Sequence, residues 1–371
     1  MTINEKNKKN ILLLMPTIQR GGIENNLVNL SEFFIKKNHN CYLLTSNISR
    51  EVKTKLNKKL IIIKPRNYFN SIIRNSRYID AFNCFVGLLK LKNIENLKIL
   101  SFQNHFLSIL GSKFIKKKII LRIANHPIGA VKFFQRKIIY QFKLFLKNTV
   151  YRFADVIVCN SNETKNYFIK KKFNNKILCI YNPIKYKILK KKFYKKEDFF
   201  LTVGRLEKQK NIYGIIVAFE KIIKIYPALK LIIIGNGSEE NFLKNYVLNN
   251  KLSNNIKFID FQKPDKYLKK CKALILNSLF EGLPNILLEA QIFNSPIIST
   301  SCLSGPTEIL KNGKYGIITP VNNTQKLYQN ILKLNRNYNF YLKKTYEAKK
   351  NLHRFNYENQ CNKYLQLLLK I

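Results

Sequence analysis

Two carboxylates, Glu281 and Glu289, flank a loop and the start of a predicted helix in the second half of the chain. Gly282 lets the backbone of this loop come close to a ligand, and Pro284 suits the first turn of a helix. A helix start presents N–H groups and a partial positive charge toward an anion. The pattern therefore suits a ligand that carries both hydroxyls and phosphates, such as a sugar joined to a nucleotide.

Two cations stand at the end of another predicted strand. Arg205 and Lys210 follow the apolar run Phe199–Val203, and a guanidinium fork and an ammonium point charge can flank a diphosphate. A single lysine would mean little in a chain with 67 Lys and Arg residues. An arginine and a lysine at this spacing, directly after a strand, are a more specific indication of a phosphate site.

The apolar pattern predicts the sheets that bring such residues to one edge. A strand at Asn10–Met15, a helix at Asn25–Lys37 and a strand at Cys41–Thr45 form a βαβ unit, which is typical of a parallel sheet. A Lys-rich stretch at about Tyr181–Asp198 is interpreted as a linker, and the alternation restarts at Phe199. Ligands of such sheets bind beyond the carboxyl ends of the strands, so we expect the site in a cleft between two domains.

The elements predict an α/β protein with two doubly wound domains in tandem. At ~150 residues per domain, the length of 371 residues agrees with this number. We expect the first domain at residues 1–183 and the second at residues 184–345. A C-terminal helical segment, residues 346–371, is expected to pack back toward the first domain.

The composition narrows the class of protein. Apolar residues make up 46% of the chain, which excludes wholesale disorder, yet no apolar run reaches the ~20 residues of a membrane-spanning helix. Seven isolated cysteines indicate neither a zinc site nor a disulfide framework, and they fit a cytoplasmic protein. The net charge of +46 favours an anionic partner, while A/T-rich codons for Lys, Asn and Ile are an equal explanation for it. No nucleic-acid partner is expected, because the chain lacks a helix-turn-helix and an RNA-binding aromatic signature.

Residues 96–154 contain no Asp or Glu and twelve Lys or Arg. The basic residues alternate with large apolar ones, as in an interfacial helix that has a basic face beside an apolar face. The stretch predicts docking on an anionic membrane surface, and the alternative is a core-packed helix with a solvated basic face. The pattern is carried by Lys116–Lys118, Lys132–Phe134, Arg136–Tyr140, Phe142, Lys143 and Phe145–Lys147.

Short motifs occur along nearly the whole chain. The first half contains Gly21–Glu24, with a Gly-Gly pair, and Ala154–Ser161, with an Ala-Asp pair before a strand. The second half contains Gly204–Asn211, Ile234–Gly237, Glu281 with Glu289, and Gly305–Leu310. Together and in this order, these motifs resemble those of family-4 retaining glycosyltransferases of the GT-B fold.

The resemblance implies a role for each matching residue. Arg205 and Lys210 would hold the donor diphosphate and stabilise the departing nucleoside diphosphate. Glu289 would bind the ribose hydroxyls, and Glu281 would contact the hydroxyls of the donor sugar. The loop at Gly22 would approach the phosphate or the acceptor. The backbone N–H groups expected near Glu281 are those of Gly282, Leu283 and Asn285.

The resemblance also bears on a catalytic histidine and on the need for a metal ion. Its members often place a histidine on a loop after a strand of the first domain. His126, after the predicted strand Ile119–Ile123, fits best, and His105, after Lys98–Phe102, is the rival. No Asp-x-Asp metal motif stands at a strand end, so neither a metal nor another cofactor is expected. The expected catalytic residues are thus His126, Glu281, Arg205 and Lys210.

The implied activity is retaining transfer of a hexose or N-acetylhexosamine from a nucleotide sugar to a glycan or lipid-linked acceptor in surface polysaccharide synthesis. The stretch Ser304–Leu310 resembles members that use UDP-linked donors, and GDP-mannose is the alternative donor. An epimerase or a phosphorylase-like enzyme of the same fold is the alternative activity. The implied location is the cytoplasm, peripheral on the inner face of the cell membrane if the basic stretch docks there.

Overall fold

The computed structural model describes residues 9–19, 21–66, 76–129, 137–186 and 195–371. The chain forms two compact units: unit 1 comprises Met1–Lys185 and Phe355–Ile371, and unit 2 comprises Tyr186–Arg354. Residues 187–194 of the predicted linker lie outside the described residues. The same holds for Lys132, Phe133, Phe134 and Arg136 of the predicted docking stretch.

A parallel sheet of seven strands forms the centre of unit 1. In chain order the strands of this unit are β1 (Asn10–Leu14), β2 (Thr17–Ile18), β3 (Asn40–Leu44), β4 (Asn47–Ile48), β5 (Ile61–Ile63), β6 (Leu97–Ser101), β7 (Lys118–Ile123), β8 (Val156–Cys159) and β9 (Lys176–Cys179). Strands β2 and β4 pair with each other, and the other seven lie in the order β5-β3-β1-β6-β7-β8-β9. The chain order therefore reverses between β1 and β6.

Apolar layers cover both faces of this sheet, because alternate side chains of a buried parallel strand point to opposite faces. Ile11 and Leu13 of β1 join one layer, and Leu12 and Leu14 join the other. The helices of unit 1 that precede unit 2 in the chain are α1 (Gly22–Lys36), α2 (Arg50–Lys53), α3 (Arg77–Leu89), α4 (His105–Phe114), α5 (Lys137–Tyr151) and α6 (Asn162–Lys170).

Unit 2 repeats this architecture around a parallel sheet of six strands. The strands are β10 (Phe199–Val203), β11 (Lys230–Ile234), β12 (Ile256–Ile259), β13 (Ala273–Leu276), β14 (Ile297–Thr300) and β15 (Ile317–Thr319), in the spatial order β12-β11-β10-β13-β14-β15. The chain order reverses between β10 and β13. The helices are α7 (Ile212–Ile223), α8 (Glu240–Asn249), α9 (Asp265–Lys270), α10 (Asn285–Ile292), α11 (Pro306–Ile309), α12 (Thr324–Arg336) and α13 (Tyr338–Lys350).

The last helix, α14 (Tyr357–Lys370), is part of unit 1. It packs against α1, and its Cys361, Tyr364 and Leu368 are buried in the apolar layer that contains Ile11. The Tyr357 hydroxyl donates to a main-chain carbonyl of α1 at 3.1 Å. The last helix of the chain therefore completes the core of unit 1.

The predicted α/β class with two parallel, Rossmann-like sheets is confirmed. The main difference concerns α1, which begins at Gly22 rather than at the predicted Asn25, so the Gly-Gly pair forms the helix start itself. Among the helices of the described segments, none is long and apolar enough to span a lipid bilayer.

Candidate active site

The predicted donor-binding residues of unit 2 lie where two neighbouring strands end. Arg205 and Lys210 follow β10, and Glu281 follows β13, which pairs with β10 in the middle of the sheet. Parallel strands end at the same edge, and the chain order reverses between these two strands. The three residues thus stand at the topological switch point, where open parallel sheets bind their ligands.

An ion pair between Lys210 and Glu281 joins the two loops. The distance from Nζ to Oε1 is 2.5 Å, and only 15% of the Lys210 side chain and 9% of the Glu281 side chain are exposed. The same Oε1 also accepts a hydrogen bond from Ser278 Oγ at 2.6 Å. The stem of Lys210 lies against Gly204, where an added Cβ would be 3.4 Å from Lys210 Cε. Neighbouring groups therefore fix both the ammonium and the carboxylate.

The guanidinium of Arg205 lies in a different environment from the Lys210 ammonium. Its side chain is exposed, and in the described part of the chain its guanidinium has no hydrogen-bond or ion-pair partner. A guanidinium offers five N–H donors in a planar fork that matches a phosphate. The loop after β10 thus presents one cation that is already paired and one whose donors are available to an anion.

Further hydrogen bonds brace the loop between β13 and α10. The main-chain carbonyl of Gln209 accepts from Leu279 N–H, and Gln209 Nε2 donates to the carbonyl of Phe280, both at 2.8 Å. Thr300 Oγ1, at the end of β14, donates to the carbonyl of Ser278 at 2.6 Å. No role was predicted for Ser278, Thr300 or Gln209, because polar residues of these types occur throughout the chain and only their placement distinguishes them.

Two glycines permit the close approach of neighbouring loops. Gly305 has a φ of +72°, and a Cβ there would lie 1.9 Å from the carbonyl oxygen of Gly282. Gly235 has a φ of +150°, and a Cβ there would lie 1.8 Å from the carbonyl oxygen of Gly204. Side chains at either position would force the loops apart. Gly282 itself is buried, and its carbonyl oxygen lies beside Gly305.

Helix α10 begins directly after this loop. Pro284 precedes it without a side-chain cap, Leu283 is buried and Asn285 is half-buried. Glu289 lies one turn further and is half-buried, and burial together with the charge of Asp265 raises its pKa to about 7. Within the described ranges Glu289 makes no ion pair or hydrogen bond with the cations of the β10 loop. The structure therefore joins Lys210 to Glu281 directly and places Glu289 on the adjoining helix.

Unit 1 contains the remaining predicted site residues. Gly22 is exposed at the first position of α1, and Asn26 Nδ2 donates to its carbonyl at 2.7 Å. His126 lies in the loop after β7, where its Nδ1 accepts from Ile128 N–H at 3.3 Å and its ring centroid is 5.4 Å from that of Tyr167. Burial lowers the pKa of His126 to about 4. Its imidazole is therefore neutral at neutral pH.

His105, the rival, is the first residue of α4 and is buried. Its Nδ1 lies 2.9 Å from Ser101 Oγ, and its ring packs edge-on against Tyr151. Burial, and after it the charge of Lys147, lower the pKa of His105 to about 3. His105 follows β6, which borders the switch point of the first sheet, whereas His126 follows the next strand, β7.

The charges of the unit 2 site are suited to binding an anion. Two cations and a helix start can stabilise negative charge that develops on a phosphate oxygen. In the segments that the structure covers, no three His, Cys, Asp or Glu side chains form a group suited to a metal ion. The carboxylate of Glu281 is placed to accept hydrogen bonds from a ligand that also reaches Lys210.

Comparisons with known proteins agree with this geometry. The family model described as Glycosyltransferase Family 4 matches residues 20–187, and the one described as Glycosyl transferases group 1 matches residues 185–351. An uncharacterized glycosyltransferase of Methanocaldococcus jannaschii is 33% identical over 243 residues, which are 58% of this chain and 59% of that relative.

A second relative is named for its substrates. It is the N-acetylgalactosamine-N,N'-diacetylbacillosaminyl-diphospho-undecaprenol 4-alpha-N-acetylgalactosaminyltransferase of Campylobacter jejuni, 30% identical over 137 residues, or 37% of each chain. The matches thus span less than two thirds of the length of these two relatives.

A solved structure matches the fold over nearly all residues. The crystal structure of Anabaena HepE in complex with UDP and glucose has a TM-score of 0.78 and 17% sequence identity, and the match covers 98% of this chain and 100% of that one. The two adjoining family models together span residues 20–351, and both sheets have the expected topology. The chain belongs to glycosyltransferase family 4 and has the GT-B fold.

Proposed function

We propose that the protein transfers a hexose or N-acetylhexosamine from a UDP-linked donor to a lipid-linked or glycan acceptor in the synthesis of a surface polysaccharide. The observation that carries this proposal is the arrangement at the switch point of unit 2. There Lys210 is fixed by Glu281, and the exposed Arg205 has its donors available. The Campylobacter relative is named for a diphospho-undecaprenol-linked acceptor, and the Anabaena structure contains UDP and glucose.

The proposed reaction retains the configuration of the sugar. The bond between the anomeric carbon and the diphosphate oxygen breaks, and the acceptor hydroxyl attacks from the same face. Its proton passes to the departing nucleoside diphosphate. Arg205 and Lys210 stabilise the charge that develops on this leaving group. Glu281 orients the sugar hydroxyls, Glu289 accepts from the ribose, and neutral His126 contributes a hydrogen bond.

Main-chain groups complete the proposed donor site. We assign the N–H groups of Gly282, Leu283 and Asn285 to the sugar and the diphosphate, and the exposed backbone at Gly22 to the phosphate or the acceptor. Preorganised donors of this kind require no reorganisation during the reaction, which is why they favour the transition state. The proposed reaction uses neither a metal ion nor another cofactor, and nucleic acid is not a proposed partner.

A panel of nucleotide sugars tests the donor. A ligand that binds the folded state raises the unfolding temperature by mass action. UDP-glucose, UDP-N-acetylglucosamine and their galacto isomers should therefore raise it, and GDP-mannose should leave it unchanged. A shift with GDP-mannose alone would overturn the assignment of UDP. An absence of any shift, together with an absence of donor hydrolysis, would refute the donor site itself.

The same donors separate transfer from the alternative activity. A transferase releases UDP slowly by hydrolysis alone and faster when an acceptor such as a lipid-linked diphosphate sugar is added. An epimerase would instead change the configuration of the sugar without any acceptor. Chromatography of the sugar product distinguishes these outcomes, and an altered configuration at a carbon other than the anomeric one would favour the epimerase.

We also propose that the protein works peripherally on the inner face of the cell membrane. This proposal rests on the apolar helical face, which we define as the exposed apolar side chains of α3, α4 and α5. Exposed patches of this kind mark interaction sites, since soluble proteins rarely leave them uncovered. The face comprises Tyr78 and Phe82 on α3, Phe106, Leu110 and Phe114 on α4, and Ile138, Ile139, Phe142, Phe145 and Leu146 on α5.

The charge around the apolar helical face favours an anionic bilayer as its partner. Residues 96–154, which include α4 and α5, contain no acidic residue. Lys143 lies exposed on α5 itself, and Lys113, Lys116 and Lys117 lie at the end of α4 and just beyond it. Each basic residue near an anionic surface adds ~1 kcal/mol to binding, and apolar side chains bury area in the interface.

Flotation with vesicles that contain phosphatidylglycerol tests the membrane proposal. Phe142 and Phe145 are 61% and 65% exposed, and their joint replacement by serine should reduce flotation at least tenfold. Phe242 and Phe340 of unit 2 are 51% and 56% exposed, and their replacement by serine is the matched control. A wild-type protein that stays with the soluble fraction at moderate salt, or two double variants with equal losses, would overturn the proposal.

A further inference from the structure

We propose that Ser278 and Thr300 are positioning residues that keep Glu281 in place when the donor diphosphate draws Lys210 away from it. This inference rests on the proposed function and concerns the same site. It adds a division of labour: Lys210 exchanges partners during the reaction, and Ser278 does not. Neither Ser278 nor Thr300 is expected to touch the donor.

The starting point is that one carboxylate oxygen has two donors. Glu281 Oε1 accepts from Lys210 Nζ at 2.5 Å and from Ser278 Oγ at 2.6 Å. Ser278 is fully buried, and a hydroxyl has a single proton to donate. That proton is committed to Glu281. The hydroxyl of Ser278 therefore has no second task that would compete with this contact.

The position of Ser278 is itself determined by neighbouring strands. Thr300 Oγ1 donates to the carbonyl of Ser278 at 2.6 Å, and Thr300 is the last residue of β14. The next residue, Leu279, donates its N–H to the carbonyl of Gln209 at 2.8 Å. Contacts from the β14 side and from the β10 loop thus hold the main chain on both sides of the Ser278 side chain.

Donor binding changes the balance around Glu281. A diphosphate carries two negative charges and competes with a single carboxylate for the Lys210 ammonium. If Lys210 turns to the diphosphate, Glu281 stays buried at 7% exposure, and a buried carboxylate without donors is unfavourable. The Ser278 hydroxyl supplies the hydrogen bond that remains. Glu281 then keeps its orientation toward the sugar hydroxyls while Lys210 serves the leaving group.

The removal of single hydroxyls tests this inference. Ser278→Ala should lower kcat for UDP-sugar hydrolysis about 10- to 100-fold, the range expected for one lost hydrogen bond to a charged group, and change KM less than threefold. Ser299→Ala is the matched control. Ser299 is the neighbour of Thr300 and is equally buried, and its hydroxyl has no hydrogen-bond partner among the described residues. The Ser299→Ala variant should therefore keep the wild-type kcat.

A double-mutant cycle distinguishes positioning from a general structural role. If Ser278 acts through Glu281, then Ser278→Ala should change kcat less than threefold in a Glu281→Gln background, because coupled residues are not additive. Equal losses in the two backgrounds, or a Ser278→Ala enzyme with wild-type kcat, would overturn the inference.

A second route avoids reliance on Ser278 alone. Thr300→Val keeps the shape of the side chain and removes the donor to Ser278, and we expect it to lower kcat about 3- to 10-fold. Thr300→Ser keeps the hydroxyl and should stay within twofold of the wild type. Identical kcat values for these two variants would contradict the inference. A wild-type enzyme that neither binds nor hydrolyses any UDP-sugar would instead refute the proposed function, so the two failures are separable.

Discussion

Unit 1 and unit 2 share a parallel-sheet topology, yet their candidate site residues differ in charge. At the switch point of unit 2, the loops after β10 and β13 contain two cations and a buried carboxylate. In unit 1 the corresponding candidates are two buried histidines whose pKa values are lowered to about 4 and about 3, so both are neutral. Unit 1 also exposes the apolar helical face, whereas the described part of unit 2 has fewer exposed apolar side chains.

This difference indicates how one topology serves two kinds of ligand. A diphosphate requires fixed positive charge, and in the proposed donor site unit 2 would supply it from short loops braced by hydrogen bonds. A lipid-linked sugar carries a long apolar chain, and the apolar helical face of unit 1, with the basic residues around it, suits the proposed acceptor in an anionic membrane.

The largest effect is expected from the two cations together. Replacement of both Arg205 and Lys210 by alanine should lower transfer at least 1000-fold, since each removed charge-assisted contact costs several kcal/mol in the transition state. Steady-state kinetics with the best UDP-sugar measures this loss. A double variant that retains a tenth of the wild-type rate would show that the positive charge of unit 2 does not support the reaction.

The single variants sharpen the contrast within unit 2. Lys210→Ala leaves the buried carboxylate of Glu281 without its cation, and breaking a buried pair destabilises a protein by roughly 3–5 kcal/mol. Arg205 is exposed and unpaired in the described residues, so Arg205→Ala should change the free energy of unfolding by less than about 0.5 kcal/mol. Chemical denaturation of both variants checks this, and equal stabilities would contradict the pairing seen here.

The second effect concerns the histidines of unit 1. His126→Ala should lower transfer about 10- to 100-fold through the loss of one hydrogen bond to the reacting sugar. His105 is hydrogen-bonded to Ser101 inside unit 1. His105→Gln should therefore lower the free energy of unfolding and leave kcat close to the wild-type value. The reverse pattern, with kcat lost in the His105 variant and kept in the His126 variant, would transfer the catalytic role to His105.

The pKa of His126 adds a pH signature to this test. Its folded-state pKa of about 4 lies below the unfolded value of 6.5, so the unfolded state binds more protons between these values. The stabilising contribution is complete above pH 6.5 and is lost as the pH falls toward 4. Thermal unfolding of wild-type protein should therefore show a steeper decline across this window than that of His126→Ala.

The sequence predicted more of the fold than of the site. Alternating apolar runs and helix periods depend on local pattern, so β1, β7 and β10 were placed to within a residue or two. The family motifs also predicted Arg205, Lys210 and Glu281 as neighbours. The contact of Ser278 with Glu281 and that of Thr300 with Ser278 depend on how three loops fold against one another, and no spacing rule contains that information.

The exposed apolar face was predicted only in part for the same reason. The composition of residues 96–154 singled out α5, but α3 lies outside that stretch and reaches the face by packing against α4. Tyr78 and Phe82 of α3 were therefore missed. Sequence patterns reveal a helix with two faces, whereas the joining of three helices into one surface is a property of tertiary structure.

A smaller effect is expected from the titration of Glu289. Its pKa of about 7 means that roughly half of the molecules hold a protonated carboxyl near neutral pH. In the proposed donor site the ribose hydroxyls donate to the ionised carboxylate, so affinity for a UDP-sugar should rise about 3- to 10-fold from pH 6 to pH 8. The diphosphate of a UDP-sugar has no titrating group in this range, and the two histidines titrate below it.

The matched variant for this titration is Glu289→Gln. It keeps the shape of the side chain but cannot ionise, so its affinity should be low and independent of pH in isothermal titration calorimetry. A wild-type affinity that is flat between pH 6 and pH 8, or a Glu289→Gln variant that keeps the wild-type slope, would remove Glu289 from the donor site and leave Asp265 as the neighbouring carboxyl to examine.

The smallest effect is expected from the removal of divalent cations. In the proposed site Arg205 and Lys210 bring two positive charges to a diphosphate that carries two negative ones before the bond to the sugar breaks, so we expect the reaction to proceed without a metal ion. Donor hydrolysis and transfer in EDTA should therefore stay within about 20% of the rates in Mg²⁺ or Mn²⁺. Arg205→Ala provides the informative control, since added Mg²⁺ should restore part of its activity if charge is what the guanidinium supplies. A wild-type enzyme that stops in EDTA and recovers with Mg²⁺ would mean that the cations of unit 2 are not sufficient, and the electrostatic contrast between the two units would then lose its explanation.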